Sequence, residues 1–131
     1  MKYLCLIYEN EKQWESLPPA QSEAIMNEYS AFTDDIQASG KLLGGEALQP
    51  TATATTVKVR NGKVSTTDGP FVETKEQLGG FYLIDAKDLN EAIQIASRIP
   101  SARFGGVEVR PVMDFSQVPQ PAGAAEQRAG A

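Results

Sequence analysis

Two short stretches of the chain are apolar on both of their alternating faces, which is typical of strands that are covered on both sides of a sheet. Residues 2–8 form the first and residues 81–84 the second, so we predict two central strands lying side by side. Residues 107–112 instead alternate apolar and polar positions and contain Pro111, which predicts a strand at the sheet edge.

Weaker strand patterns occupy the middle of the chain. Residues 41–48 predict a short strand, with a glycine pair that suits a bulge or a close backbone approach. Residues 55–60 and 63–67 flank Asn61-Gly62, the pair most typical of a tight hairpin. The chain then turns at residues 68–71.

Two segments have the apolar spacing of helices. The first follows Pro18-Pro19 and runs to about Ser39, with one apolar stripe: Ile25, Tyr29, Phe32 and Ile36. The second starts at Asp88 as N-cap, and its predicted buried side is Leu89, Ala92, Ile93, Ala96 and Ile99. Residues 9–16 are interpreted as a polar loop, and Thr74 with Gln77 as the cap of a single helical turn.

This order of elements is β-α-β, a hairpin, then β-α-β, which predicts an α+β ferredoxin-like plait with an extra β-hairpin. Two helices cover only one face of such a sheet, so we expect a second copy of the chain to cover the other and form a homodimer. One domain is expected over residues 1–115. The Pro-, Gly-, Ala- and Gln-rich residues 116–131 are predicted to be a disordered tail.

Composition narrows the possible partners and chemistry. The 131 residues carry a net charge of −5 without a basic cluster, which argues against nucleic acid and against a membrane surface. There is one cysteine and no histidine, so a disulfide within the chain and a histidine-based catalytic or zinc site are excluded. We expect a cytoplasmic protein without a metal or other cofactor.

The densest group of turn-forming, charged and aromatic residues lies between Asp68 and Tyr82. Asp68 is a candidate catalytic carboxylate, although turn chemistry favours a structural role in which it accepts backbone hydrogen bonds. Phe71 is a candidate for binding substrate, with a core plug as the favoured alternative. The candidates in the charged segment are Lys75 and Glu76 for catalysis and Glu73 for binding, and a solvated, salt-bridged turn is an equally good interpretation.

Three further side chains are candidates for binding a substrate. Arg110 could hold a carboxylate in a bidentate manner, or pair with Glu108 at the sheet edge. Glu46 follows the glycine pair and could face the same region. Tyr82 could line an apolar pocket and supply a hydroxyl group, or belong to the core.

The segments Asp68-Gly69-Pro70-Phe71, residues 73–76 and residues 78–81 together resemble the signature of DGPF-domain proteins, a branch of the YCII-related family. The resemblance extends to about Phe115 and implies a ferredoxin-like subunit that dimerises into an α+β barrel. It also implies an association with extracytoplasmic-function sigma factors. The wider family is proposed to use a His and Asp pair, and this chain has no histidine.

Two hypotheses of different classes follow. In the first, the protein has a cofactor-independent cleft that binds or transforms a small organic molecule, which could be anionic. In the second, it is a non-enzymatic regulatory or ligand-binding module associated with sigma-factor systems.

Overall fold

The computed structural model describes residues 1–116. Its main sheet is antiparallel with the strand order β2-β5-β1-β6, formed by β1 (Lys2–Glu9), β2 (Leu42–Ala47), β5 (Gln77–Asp85) and β6 (Gly106–Pro111). A separate hairpin contains β3 (Thr55–Arg60) and β4 (Lys63–Asp68). The predicted α+β plait is therefore confirmed, with the two doubly apolar strands at its centre and β6 at an edge.

Three helices connect these strands: α1 (Glu11–Glu15), α2 (Pro19–Ala38) and α3 (Leu89–Ser97). The interpretation of residues 9–16 as a loop is wrong. The side-chain oxygen of Asn10 accepts hydrogen bonds from the amides of Lys12 and Gln13 at 3.0 and 3.3 Å, and this N-cap begins α1. Short 3-10 turns occupy Thr51–Thr53 and Pro100–Arg103.

The core lies between the helices and one face of the sheet. Ile25, Phe32 and Ile36 of the predicted α2 stripe are buried there. The predicted buried side of α3 is partly wrong, because Leu89 and Ile93 are about half exposed and Ile95 is buried instead. Both sets of positions have helical spacing, so the pattern alone did not fix how α3 is rotated against its neighbours.

The hairpin is closed by Asn61 and Gly62, which have φ angles of +53° and +75° as its predicted tight turn requires. The predicted helical turn at Thr74 and Gln77 is wrong. Gln77 begins β5, and its side-chain amide donates to the carbonyl oxygen of Thr74 at 2.7 Å. The pair of residues that suggested a helix cap therefore stabilises an irregular turn that leads into a strand.

No helix in residues 1–116 covers the sheet face opposite the core. Its central side chains are apolar and half-buried, namely Leu4, Leu6, Tyr8, Leu78, Phe81 and Leu83. None of the helices in the described part of the chain has the length and apolar character needed to cross a bilayer.

Candidate functional site

A cleft of about 570 Å³ lies between α2 and the part of the sheet where β2 and β5 pair. Its walls include the apolar side chains of Ile7, Trp14, Met26 and Leu48 and the aromatic rings of Tyr29 and Tyr82. Its floor contains Gly45, Ala47, Gly79 and Gly80. Small residues on the floor leave space that larger side chains would fill.

A bulge in β5 shapes this floor. Ile7 pairs with Gly80 while Tyr8 pairs with Leu78, so Gly79 is the extra residue of β5. A Cβ atom at Gly79 would lie 3.1 Å from Oε1 of Glu9, and one at Gly80 would lie 2.8 Å from the carbonyl oxygen of Glu46. The glycine pair therefore lets a carboxylate and the β2 backbone approach β5 closely.

Three side chains form a hydrogen-bonded relay that ends at the Glu9 carboxylate. Ser101 is fully buried, and its hydroxyl donates to Oε2 of Glu9 at 2.8 Å. The hydroxyl of Tyr29 lies 2.5 Å from the same serine oxygen. A serine has a single hydroxyl proton, so Tyr29 donates to Ser101 while Ser101 donates to Glu9.

The direction of this relay agrees with the pKa of Tyr29. Burial raises the pKa of the Tyr29 hydroxyl, and the negative charge of Glu9 raises it further, against the opposing effect of the Ser101 hydrogen bond. Tyr29 therefore remains protonated at neutral pH and keeps the proton that it donates. Within residues 1–116, Oε1 of Glu9 accepts no hydrogen bond and so is available to a ligand.

A second hydroxyl pair lies in the same cleft. The Thr33 and Tyr82 oxygens are 2.7 Å apart, and the ring of Tyr82 packs edge-on against Phe32 with centroids 5.3 Å apart. The two hydroxyls have two protons between them and share one hydrogen bond, which leaves one proton for a ligand.

Hydrogen bonds between α1 and the sheet hold Trp14 at the cleft. The Glu11 carboxylate accepts from the amide and the hydroxyl of Thr51, both at 2.8 Å. The amide of Glu11 donates to the side-chain oxygen of Gln77 at 3.0 Å. These bonds fasten α1 to the Thr51–Thr53 turn and to β5, and α1 places Trp14 in the cleft wall.

Of the residues that the sequence suggested for a site, Glu46 and Tyr82 line this cleft. Glu46 does so through its backbone, because it pairs with Phe81 and its side chain therefore lies on the sheet face away from the helices. Asp68 is exposed at the end of β4, and the turn after it is held by the backbone of Gly69, whose amide donates to Ala54 and whose carbonyl accepts from Thr56, both at 2.8 Å. The core-plug interpretation of Phe71 is wrong, because its side chain is 71% exposed.

The remaining candidates lie outside the first cleft. Glu73, Lys75 and Glu76 are exposed in the segment between β4 and β5. Arg110 forms an ion pair with Glu108 on β6, as one of its two interpretations predicted. A second cleft of about 590 Å³ is lined instead by alternate residues of the signature, Pro70, Val72 and Thr74, together with Tyr8 and the loop around Pro50.

Sequence reasoning missed Glu9, Tyr29, Thr33 and Ser101 as site residues. Tyr29 was assigned to the core stripe of a helix, and Glu9 to the start of a loop. Only contacts across 92 and 72 positions of sequence join Ser101 to Glu9 and to Tyr29. A polar residue directly after Pro100, in a stretch that is otherwise buried, was the available signal.

In the described part of the chain, no group of three acidic or cysteine side chains is suited to hold a metal ion.

The chain is similar to known proteins over most of its length. The family model for the YCII-related domain matches residues 1–116. The uncharacterized protein R00369 of Rhizobium meliloti (strain 1021) is 39% identical over 114 residues, which are 86% of this chain and 92% of that protein. One solved structure covers 86% of this chain and 94% of its own, with 14% identity and a TM-score of 0.45. It is 5-chloro-2-hydroxyhydroquinone dehydrochlorinase (TftG) from Burkholderia phenoliruptrix AC1100 in complex with 2,5-dihydroxybenzoquinone.

Proposed function

Starting from the fact that this chain belongs to the YCII-related domain family, we propose that its first cleft binds a small organic molecule and transforms it by acid–base chemistry without a cofactor. The observation that carries the proposal is the Glu9 carboxylate. Ser101 holds one of its oxygens, and the other is left available in a cleft of about 570 Å³. A volume of this size suits a small-molecule ligand.

The reaction that fits this arrangement is a proton transfer in a conjugated carbonyl compound. Oε1 of Glu9 takes a proton from the end of the conjugated system remote from the carbonyl group, and the electron pair moves through that system onto the carbonyl oxygen. The spare proton of the Thr33–Tyr82 pair then forms a hydrogen bond to that oxygen and stabilises its negative charge. Return of the proton to a different atom completes an isomerisation, and a general base typically contributes about 10²–10⁴-fold to such a rate.

Catalysis at the signature is a separate prediction. The candidates there are Asp68, Lys75 and Glu76. All three are exposed, and none of them lines either of the two clefts. We favour Glu9 because its carboxylate is fixed by a buried partner and lies in a cleft, whereas the three signature side chains are solvated.

The protein is also proposed to act as a homodimer. The uncovered sheet face presents a continuous apolar surface centred on Leu6 and Leu83, which pairing of two sheets would remove from water. A Leu6→Lys substitution places a charge at the centre of that face and should convert the dimer to a monomer in native mass spectrometry. Ala31→Lys, on the exposed side of α2, is the matched control.

Hydrogen exchange at carbon tests the chemistry even while the substrate is unidentified. A panel of small carbonyl compounds is incubated with the protein in D₂O, and deuterium incorporation is followed by mass spectrometry. We expect incorporation with the native chain and with the control Glu23→Gln, and a loss of about 10²-fold or more with Glu9→Gln.

The other outcomes separate the alternatives. Exchange that survives Glu9→Gln and is lost with Asp68→Asn would place catalysis at the signature and refute the Glu9 mechanism. A ligand retained from the host, seen in native mass spectra of a chain that exchanges no panel compound, would favour the non-enzymatic regulatory or ligand-binding module.

A further inference from the structure

The charged groups of the first cleft all have the same sign. Its ionisable acidic side chains are Glu9 and Asp34, and the described residues that line it include no lysine or arginine. Neither of the two carboxylates belongs to an ion pair within residues 1–116. The ion pairs of that region lie elsewhere and use Asp35, Asp85, Glu28, Glu91 and Glu108.

The hydrogen-bonding groups of the cleft are of two complementary kinds. Oε1 of Glu9 can only accept a hydrogen bond while the carboxylate is ionised, and the Thr33–Tyr82 pair has a proton to donate. Tyr82 pairs with Cys5, four residues before Glu9 on β1. The backbone positions of the two polar groups are therefore about 13 Å apart along the sheet, and the walls between them are apolar.

From this arrangement we infer that the ligand is a non-anionic hydroxy-carbonyl compound. Its hydroxyl donates to Glu9, its carbonyl oxygen accepts from the Thr33–Tyr82 pair, and an apolar body of about one ring lies between them. An anionic ligand would meet two carboxylates without ion-pair partners and no cation. This inference rests on the proposed function and reverses the anionic preference expected from the sequence.

Four matched probes test the inference at a single resonance. Trp14 is the only tryptophan of the chain and lines the cleft, so its indole N–H reports binding there in ¹H–¹⁵N NMR spectra. The probes are 4-hydroxyacetophenone, its anionic isostere 4-hydroxybenzoate, 4-methoxyacetophenone without the donor, and 4-ethylphenol without the acceptor. We expect the first to shift the resonance with the lowest Kd, and each of the others to bind at least about tenfold more weakly, equivalent to ~1.4 kcal/mol.

Removing charge should relax the discrimination. In the Asp34→Asn variant, we expect the ratio between the Kd values of 4-hydroxybenzoate and 4-hydroxyacetophenone to fall severalfold, whereas Glu23→Gln should leave it unchanged. Binding of 4-hydroxybenzoate as tightly as the ketone would overturn the ligand class while leaving the cleft and the Glu9 mechanism intact. If none of the four probes moves the indole resonance, the ligand class is refuted, and the deuterium-exchange result alone then decides the proposed function.

Discussion

Replacement of Ser101 by alanine tests whether the buried relay holds the site together. The substitution removes one hydrogen bond to a carboxylate and leaves the Tyr29 hydroxyl without its acceptor. The first loss costs ~1.5–3 kcal/mol and the second ~1–3 kcal/mol. Tyr29 is only partly buried, so the lower half of the second range applies, and we expect the free energy of unfolding to fall by ~2.5–5 kcal/mol.

Urea denaturation followed by circular dichroism measures this loss. Tyr29→Phe should cost only ~0.5–1.5 kcal/mol, because Ser101 keeps its bond to Glu9. The double variant should lose less stability than the sum of the losses in the two single variants, because both substitutions remove the same hydrogen bond between Tyr29 and Ser101. Ser97→Ala, an exposed position on α3, is the control and should change stability by less than about 0.5 kcal/mol. A Ser101→Ala variant as stable as this control would refute the relay.

Three further predictions concern positions around the site and core. Gly80→Ala should destabilise the protein by ~1–3 kcal/mol, measured by the same urea titration, because its Cβ would lie 2.8 Å from the backbone oxygen of Glu46. Cys5 should resist alkylation at pH 8 in the folded protein and react after denaturation, because burial raises its thiol pKa to about 11. The hydrogen bond from Lys41 lowers the pKa of Glu91. The native chain should therefore be more stable than Glu91→Gln at pH 7. This difference in the free energy of unfolding should shrink as the pH falls below the ordinary glutamate pKa and through the lowered one.

Local patterns were sufficient for most of the fold. The strand alternation, the α2 stripe and the Asn61-Gly62 turn each depend on neighbours in sequence. The strands and the turn are confirmed, and so is the stripe except at Tyr29, which is half-buried and lines the cleft. The errors arose where a choice depended on distant residues. The rotation of α3 was one, because Ile93 and Ile95 are equally compatible with an apolar helix face until β6 and the Pro100–Arg103 turn are in place.

The candidate site was less predictable than the fold for the same reason. Glu9 acquires its possible role only when Ser101 is brought beside it by the turn after α3. Asp68 and Lys75 were predicted as site residues because the signature is rich in charged side chains. Charged residues between a turn and a strand are, however, also common simply because such segments are exposed to solvent. No local pattern distinguishes a solvated carboxylate from one that a buried hydroxyl holds in a cleft.

The signature thus contributes to the proposed site mainly through its least reactive residues. Gly79 provides the bulge that admits the Glu9 carboxylate, and Gly80 allows the backbone of β2 to approach the cleft floor. Side chains at these two positions would close the space in which a ligand is proposed to bind. On this view, the motif specifies the shape of the cleft, while the acid–base groups come from β1, α2, the turn at Pro100–Arg103 and Tyr82, which follows the signature on β5. Substitution of Gly79 and substitution of Glu9 should therefore both abolish exchange, the first by excluding the ligand and the second by removing the base.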